Sequence, residues 1–193
     1  MSVTKVAQAR LPTRFGFFTS HVFRDEAGVE HMVLAAGEPK SGCLVRVHSE
    51  CATGDILGSL RCDCGDQLEA SLDAIAAAGN GLLIYLRGHE GRGIGLGNKI
   101  RAYALQDHGA DTVEANHQLG FLADQRDYKA AVAILESFGL SEIRLLTNNP
   151  DKVTALEQGG VKIVERLPLW TRDNPHSHDY IETKRKVMGH FAP

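Results

Sequence analysis

The chain has 193 residues, 43% of them hydrophobic, which suits one domain with a full-sized core. Its net charge of -3 excludes a general nucleic-acid-coating protein, though it leaves room for a local basic pocket. No apolar run approaches the length of a membrane span, and Met1 to Thr13 lacks the apolar stretch of a signal peptide. A cytoplasmic location is therefore expected, with neither membrane nor nucleic acid as a partner.

Three short apolar stretches come first, Phe15–Phe23, His31–Ala36 and Cys43–Val47. Turn residues such as Gly28 and Gly42 separate them, so they read as strands. Asp66–Ala78 reads as a helix with Leu68, Leu72, Ile75 and Ala76 on one face, Asp66 and Glu69 as a capping box, and Gly79 at its end. Gly81–Leu86 reads as a buried strand, followed by a glycine-rich loop, Gly88–Gly97, and a helix from about Asn98 to His108. Asp127–Phe138 is a further helix and Glu142–Leu146 a strand. Asn149 and Pro150 form a strong helix start, as N-cap and first helical residue, and that helix ends at Gly159–Gly160. Val161–Val164 reads as a strand and Asp179–Met188 as a last helix. The alternation predicts an α/β class, a layered α/β/α fold with a mixed sheet and an N-terminal antiparallel strand meander.

In a reducing compartment, clustered cysteines point to ligands or catalysts rather than disulfides. Of the four, Cys51, Cys62 and Cys64 crowd together and Cys43 stands apart. Zinc takes thiolates readily, and its catalytic sites use three protein ligands plus a water. A structural four-ligand site completed by His48 or Cys43 is the rival on spacing alone. A zinc deaminase is not supported: His48-Ser49-Glu50 matches the first half of that signature, but the Pro-Cys-x-x-Cys half is absent.

Four segments are candidate anion sites. The loop from Gly88 to Gly95 joins a strand to a helix and matches neither a Walker A loop nor a dinucleotide fingerprint. Its Arg92 could clamp phosphate, and its Glu90 could accept hydrogen bonds from a base or ribose. Thr147 to Lys152 surrounds a helix start with a hydroxyl and a cation. Arg46 and His48 share one face of a strand that leads into Cys51. Asp124 to Asp127 reads by itself as a helix N-terminus capped by Asp127, and Tyr103 as a core residue.

Together these segments closely resemble GTP cyclohydrolase II, the zinc hydrolase that opens the riboflavin pathway. The likeness is carried by Arg46-Val47-His48-Ser49-Glu50-Cys51, Thr53-Gly54-Asp55, Ser59-Leu60-Arg61-Cys62-Asp63-Cys64-Gly65 and His89-Glu90-Gly91-Arg92-Gly93-Ile94-Gly95-Leu96. It continues through Tyr103, Asp111-Thr112-Val113-Glu114-Ala115-Asn116, Ala123-Asp124, Arg126-Asp127-Tyr128, Leu146-Thr147-Asn148-Asn149-Pro150, and Lys184 with Met188-Gly189-His190.

The resemblance implies one catalytic domain over 1–193 that opens the imidazole ring of GTP. Formate and pyrophosphate leave, and a diamino-ribosylamino-pyrimidinone phosphate remains. It implies Cys51, Cys62 and Cys64 as ligands of one zinc ion per chain, with magnesium accompanying the triphosphate. It implies Arg46, Val47, His48, Ser49, Glu50, Gln67, Glu90, Gly91, Arg92, Thr112, Thr147 and Lys152 as GTP contacts. Asp124 is similar to the family's proton acceptor, Arg126 to its nucleophile on the α-phosphorus, and Tyr103 to its tyrosine near the ring-opening centre. A guanidinium is almost always protonated, so stabilising the leaving pyrophosphate is the plainer role for Arg126. A homodimer is implied as well. Gly97 stands where a bulkier apolar residue is commoner, and would cost the helix up to about 1 kcal/mol. Two other functions compete: a nucleotide-binding regulator without turnover, and a structural zinc module on nucleic acid.

Overall fold

The computed structural model describes the chain apart from residues 123, 170, 172–173, 187–188 and 192–193, and apart from the side chains of residues 112, 178–179 and 184–185. The described strands are β1 (Val3–Thr13), β2 (Gly16–Asp25), β3 (Glu30–Ala36), β4 (Cys43–Ser49), β5 (Gly81–Leu86), β6 (Glu142–Leu146) and β7 (Lys162–Leu167). They form one mixed sheet in the order β1-β2-β3-β5-β4-β6-β7. Pairing is antiparallel from β1 through β3 to β5, and parallel between β5 and β4, β4 and β6, and β6 and β7.

The meander is present, but its membership differs from expectation. β1, not read as a strand, is its first member, and Cys43–Ser49 instead lies inside the parallel half. The reason is visible in the burial: Thr4 to Arg10 are all exposed, because β1 is an edge strand with little apolar face to alternate. β4 and β5 are buried almost throughout, as strands covered on both faces are.

Helices supply the two covers. On one side α2 (Cys64–Ala78) packs Leu72 and Ile75 against Phe18, Leu34, Leu44 and Leu83. On the other, α5 (Lys129–Ser137) and α6 (Pro150–Gln158) bury Ala131, Ile134, Leu135 and Leu156 against Val33, Val45, Ile84 and Ile143. This is the α/β/α layering. The remaining helices are α1 (Ala52–Asp55), α3 (Gly95–Gln106), α4 (Thr112–Gln118) and α7 (His178–Lys186), with a 3-10 turn at Glu90–Arg92. The expected last helix is α7; Met188 lies outside the described residues. Among the described residues no helix is long and apolar enough to cross a membrane.

Local signals explain most of the shifted boundaries. α2 begins at Cys64 with Asp63 at its N-cap, so the expected Asp66–Glu69 capping box does not form. Glu69 pairs with Arg14 instead, and the Asp63 carboxylate accepts from Gln67 Nε2 at 2.7 Å. A capping box does open α4, between Asp111 and Glu114. α5 starts after Tyr128, with Asp127 Oδ1 accepting from the Lys129 N–H.

α3 starts at Gly95, so Gly97 lies in its first turn, and a Cβ there would meet nothing within 4 Å. Gly97→Ala is therefore expected to stabilise the protein by about 0.5–1 kcal/mol, read as a higher urea midpoint at unchanged slope.

Three of the four parallel strands decide where chemistry can sit. The carboxyl ends of β4, β5 and β6 all point to one edge of the sheet, delivering Ser49–Cys51, Gly88–Arg92 and Thr147–Asn149 side by side. Open α/β sheets place ligands at that edge.

Candidate active site

Cys51 follows the end of β4, Cys62 lies in the loop before α2, and Cys64 is the first residue of α2. Their sulfurs lie within 4.8 Å of one another. Two sulfurs bound to one tetrahedral zinc, each about 2.3 Å away, stand about 3.8 Å apart. Cys51 Sγ and Cys62 Sγ are 3.7 Å apart. The backbone is shaped around them: a Cβ on Gly54 would meet Cys62 Sγ at 2.9 Å, Cys64 Cβ at 3.0 Å and Cys51 Sγ at 3.2 Å. These three residues could hold a metal, and neither rival fourth ligand joins them. Cys43 is buried in the core, and His48 Nε2 faces Asp55 Oδ1 at 3.0 Å. Gly54→Ala is expected to lose bound metal at least tenfold more readily than the wild type, with little loss of secondary structure; chelator competition and circular dichroism check it.

Hydrogen bonds from Cys62 and Cys64, with the Lys99 charge, hold the Cys51 thiol far below the ordinary thiol range. The hydrogen bond to Cys51 pushes Cys62 the other way. Lys99 is buried on α3, and its Nζ donates to Glu90 Oε1 at 2.6 Å, Thr53 Oγ1 at 2.8 Å and Cys51 Sγ at 3.1 Å. Burial works against this ammonium, but Glu90 and Cys51 outweigh it and hold its pKa above the lysine range. The second Glu90 oxygen accepts from the Ala52 N–H at 2.6 Å. Both Glu90 oxygens are thus engaged within the protein, which departs from their expected use on a base or ribose.

Asp55 plays a matching part beneath Cys51. Its carboxylate takes His48 Nε2, the Cys51 N–H at 3.0 Å and the Tyr85 hydroxyl at 2.8 Å, and the His48 and Tyr85 rings stack. Tyr103 on α3 lies 3.5 Å from Thr53 Oγ1 and under the Arg61 guanidinium, which also pairs with Asp107.

The cysteines open on a cavity of about 540 Å³, lined also by Ser49, Glu50, Gly91, Arg92, Tyr103 and Arg126. A smaller hollow of about 60 Å³ adjoins it, and Ser49, Cys64, Arg92 and Arg126 line both. Arg46, His48, Gln67, Thr147 and Lys152 complete the smaller one. Four cationic side chains face it, and among the described residues no carboxylate does. Charge of that sign favours an anion over a cation there.

Each cation is placed by its neighbours. Arg46 donates to the Leu146 carbonyl at 3.0 Å and to Gln67 Oε1 at 2.6 Å; burial lowers its pKa to about 10. Lys152 Nζ donates to the Val47 carbonyl at 2.8 Å. Arg92 holds φ at +66°, the only non-glycine in the left-handed region among the described residues. That conformation costs about 1–2 kcal/mol. Gly91 before it has φ +60°, and a Cβ there would strike Ile94 Cγ1 at 2.9 Å. Arg126 donates from Nε to Asp124 Oδ1 at 2.9 Å. Burial favours a neutral Asp124, but these bonds outweigh it and keep the carboxyl below its usual range. The same bonds overcome the burial of Arg126 and raise its pKa. His89, which lines the larger cavity, has its pKa lowered to about 3, by burial first and then by Arg126 and Lys152.

The structure thus gathers nearly every residue singled out in the sequence. Val47 contributes its carbonyl to Lys152, while its side chain is in the core; Asp124 reaches the cavities through Arg126; the Thr112 side chain lies outside the described residues. Sequence reasoning missed Lys99, Asp55 and Tyr180. Asp55 stood within a quoted motif, and a lysine one turn before Tyr103 was a readable signal for Lys99. Tyr180 of α7 lines both hollows with the Arg92 guanidinium over its ring, and no spacing marked it.

Comparison with known proteins gives the family. The family model described as GTP cyclohydrolase II matches residues 4–168. A GTP cyclohydrolase-2 of Azotobacter vinelandii is 60% identical, covering 99% of this chain and 93% of the relative. One of Pseudomonas entomophila is 58% identical over 99% of this chain and 94% of its own. The crystal structure of a two-domain 3,4-dihydroxy-2-butanone 4-phosphate synthase from A. baumannii shares the fold, with a TM-score of 0.50 and 20% identity over 89% of this chain and 41% of that one. Family model and relatives both span the cysteine cluster and the basic pocket, and on that ground the chain belongs to the GTP cyclohydrolase II family.

Proposed function

We propose that residues 1–193 form one catalytic domain that hydrolyses the imidazole ring of GTP in the cytoplasm, as a homodimer and as the first step of riboflavin biosynthesis. Formate and pyrophosphate are released and a diamino-ribosylamino-pyrimidinone phosphate is left. One observation carries this reading: three sulfurs at single-ion spacing line a cavity that adjoins a smaller four-cation pocket, and no described carboxylate lines that smaller pocket.

Cys51, Cys62 and Cys64 are the proposed ligands of one zinc ion, and magnesium accompanies the triphosphate. When bound, zinc supplies Lewis-acid activation of water at neutral pH. The chain's own residues divide the rest. The purine lies in the larger cavity near Tyr103 and Glu50, and the phosphates face Arg46, Arg92, Arg126 and Lys152. Ser49, Gln67, Thr147 and the Gly91 backbone add polar contacts, and His48 fixes the strand that carries them. Thr112 and Val47 complete the proposed GTP contacts. Glu90 acts one step back, by fixing Lys99 and Ala52. Asp124 keeps its negative charge, as a proton acceptor must, and orients Arg126. A guanidinium whose pKa is raised by Asp124 stays charged, which favours stabilising the departing pyrophosphate over attacking phosphorus.

Incubating zinc-loaded protein with MgGTP and reading the product by mass spectrometry is expected to give the deformylated pyrimidinone phosphate. Unchanged GTP overturns the proposal. A product that keeps its formyl group would confine the error to the release of formate.

A further inference from the structure

We propose that Lys99 is the positioning residue of the metal centre, holding the Cys51 sulfur and the Thr53 hydroxyl in fixed places behind the metal ligands. The proposal rests on the reading of Cys51, Cys62 and Cys64 as zinc ligands.

An ammonium has three donors and no acceptor. Lys99 meets three acceptors, Glu90 Oε1 at 2.6 Å, Thr53 Oγ1 at 2.8 Å and Cys51 Sγ at 3.1 Å, at a site only 7% exposed. The donors are therefore matched within the protein. The ion pair also fastens the ligand loop, because the other Glu90 oxygen takes the Ala52 N–H, the residue next to Cys51. One buried charge ties α3, the 3-10 turn and the first ligand together. Thr53 extends the chain to the Tyr103 hydroxyl, 3.5 Å away.

Pairing with Glu90 alone would not require contact with sulfur. Three coordinated thiolates on a divalent ion carry a net charge of -1, and in a buried site a neighbouring cation offsets it. A hydrogen bond to a ligand atom also draws electron density from it, the way outer partners orient and tune metal ligands. The sulfur contact and the Glu90 contact therefore make separable predictions.

Lys99→Met keeps the length of the side chain and removes both the charge and the donors. It leaves Glu90 as an uncompensated buried charge, so the double variant Glu90→Gln/Lys99→Met is needed beside it. Zinc affinity is measured by competition with a chromophoric chelator. The energy of the thiolate-to-cobalt charge-transfer band is read in cobalt-substituted protein. The dissociation constant for zinc is expected to rise at least about tenfold in both variants. The charge-transfer band is expected to move to lower energy in both, because the sulfur has lost its donor. Wild-type zinc affinity and band position in the double variant would overturn the assignment, since Lys99 would then serve only to neutralise Glu90. Unchanged affinity and spectrum in Lys99→Met would overturn it equally. A wild-type chain that binds no zinc would instead defeat the zinc reading itself, whatever the variants do.

Discussion

Cys62→Ser is expected to lower the turnover of GTP by about 10³-fold or more while GTP still binds. Serine fits the space of Cys62, but its hydroxyl is not ionised at neutral pH and is a poor ligand where soft thiolates are called for. The buried sulfur sits 3.7 Å from Cys51 Sγ, so the exchange removes one corner of the ligand triangle and little else. The basic pocket is built from other elements: Arg46 on β4, Arg92 after β5, Arg126 before α5 and Lys152 on α6. Calorimetric titration with GTP should therefore give a dissociation constant within a few-fold of the wild type, while bound metal falls. Turnover equal to the wild type would show that the metal has no part in the reaction. Loss of GTP binding together with turnover would show that the cysteine cluster and the basic pocket are not independent.

Stability is expected to fall steeply as the pH drops below about 6.5. His89 is held neutral in the folded protein, with its pKa near 3, and returns to about 6.5 when the chain unfolds. Between those values the unfolded chain binds a proton that the folded chain refuses. The folded state therefore has its full stability above about pH 6.5 and loses about 1.4 kcal/mol per pH unit for this one group on the way down. Burial lowers His31 and His48 as well, which adds in the same direction. Asp124 joins at lower pH, because its folded carboxyl is also held below its ordinary value. Urea midpoints measured from about pH 7.5 to 4.5 should decline with a slope above that of a single proton. His89→Gln should flatten it by about one proton. A level profile would show that the pocket opens to water far more than its packing indicates.

The apolar rhythm made most of the fold legible. β5 is buried almost throughout and therefore runs as an unbroken apolar segment, and β4 does so apart from Arg46, His48 and Ser49; β6 alternates instead, with Glu142 and Arg144 half-buried beside the buried Ile143 and Leu145. α2 and α5 show their stripes because each covers one face of the sheet. β1 was hidden because its seven residues from Thr4 to Arg10 face solvent, and pairing with β2 rather than burial makes it a strand. α4 carries its signal in a capping box, not in periodicity. At the site, spacing exposed the cysteines and the glycine loop because those depend on neighbours in sequence. Lys99 depends on Glu90, Thr53 and Cys51, which only the folded chain brings within reach. Arg92 belongs to both worlds. Its glycine neighbours were visible, but its own left-handed backbone was not.

In the proposed reaction the cysteine cluster and the basic pocket act on one GTP molecule. Formate and pyrophosphate should be quantified together during GTP consumption, in protein stripped of metal and again after zinc is restored. Equal amounts of both products per GTP consumed are expected from the zinc-loaded protein, with formate release lost on stripping and regained with zinc. Formate release that is indifferent to zinc, or its absence from fully loaded protein, would contradict it.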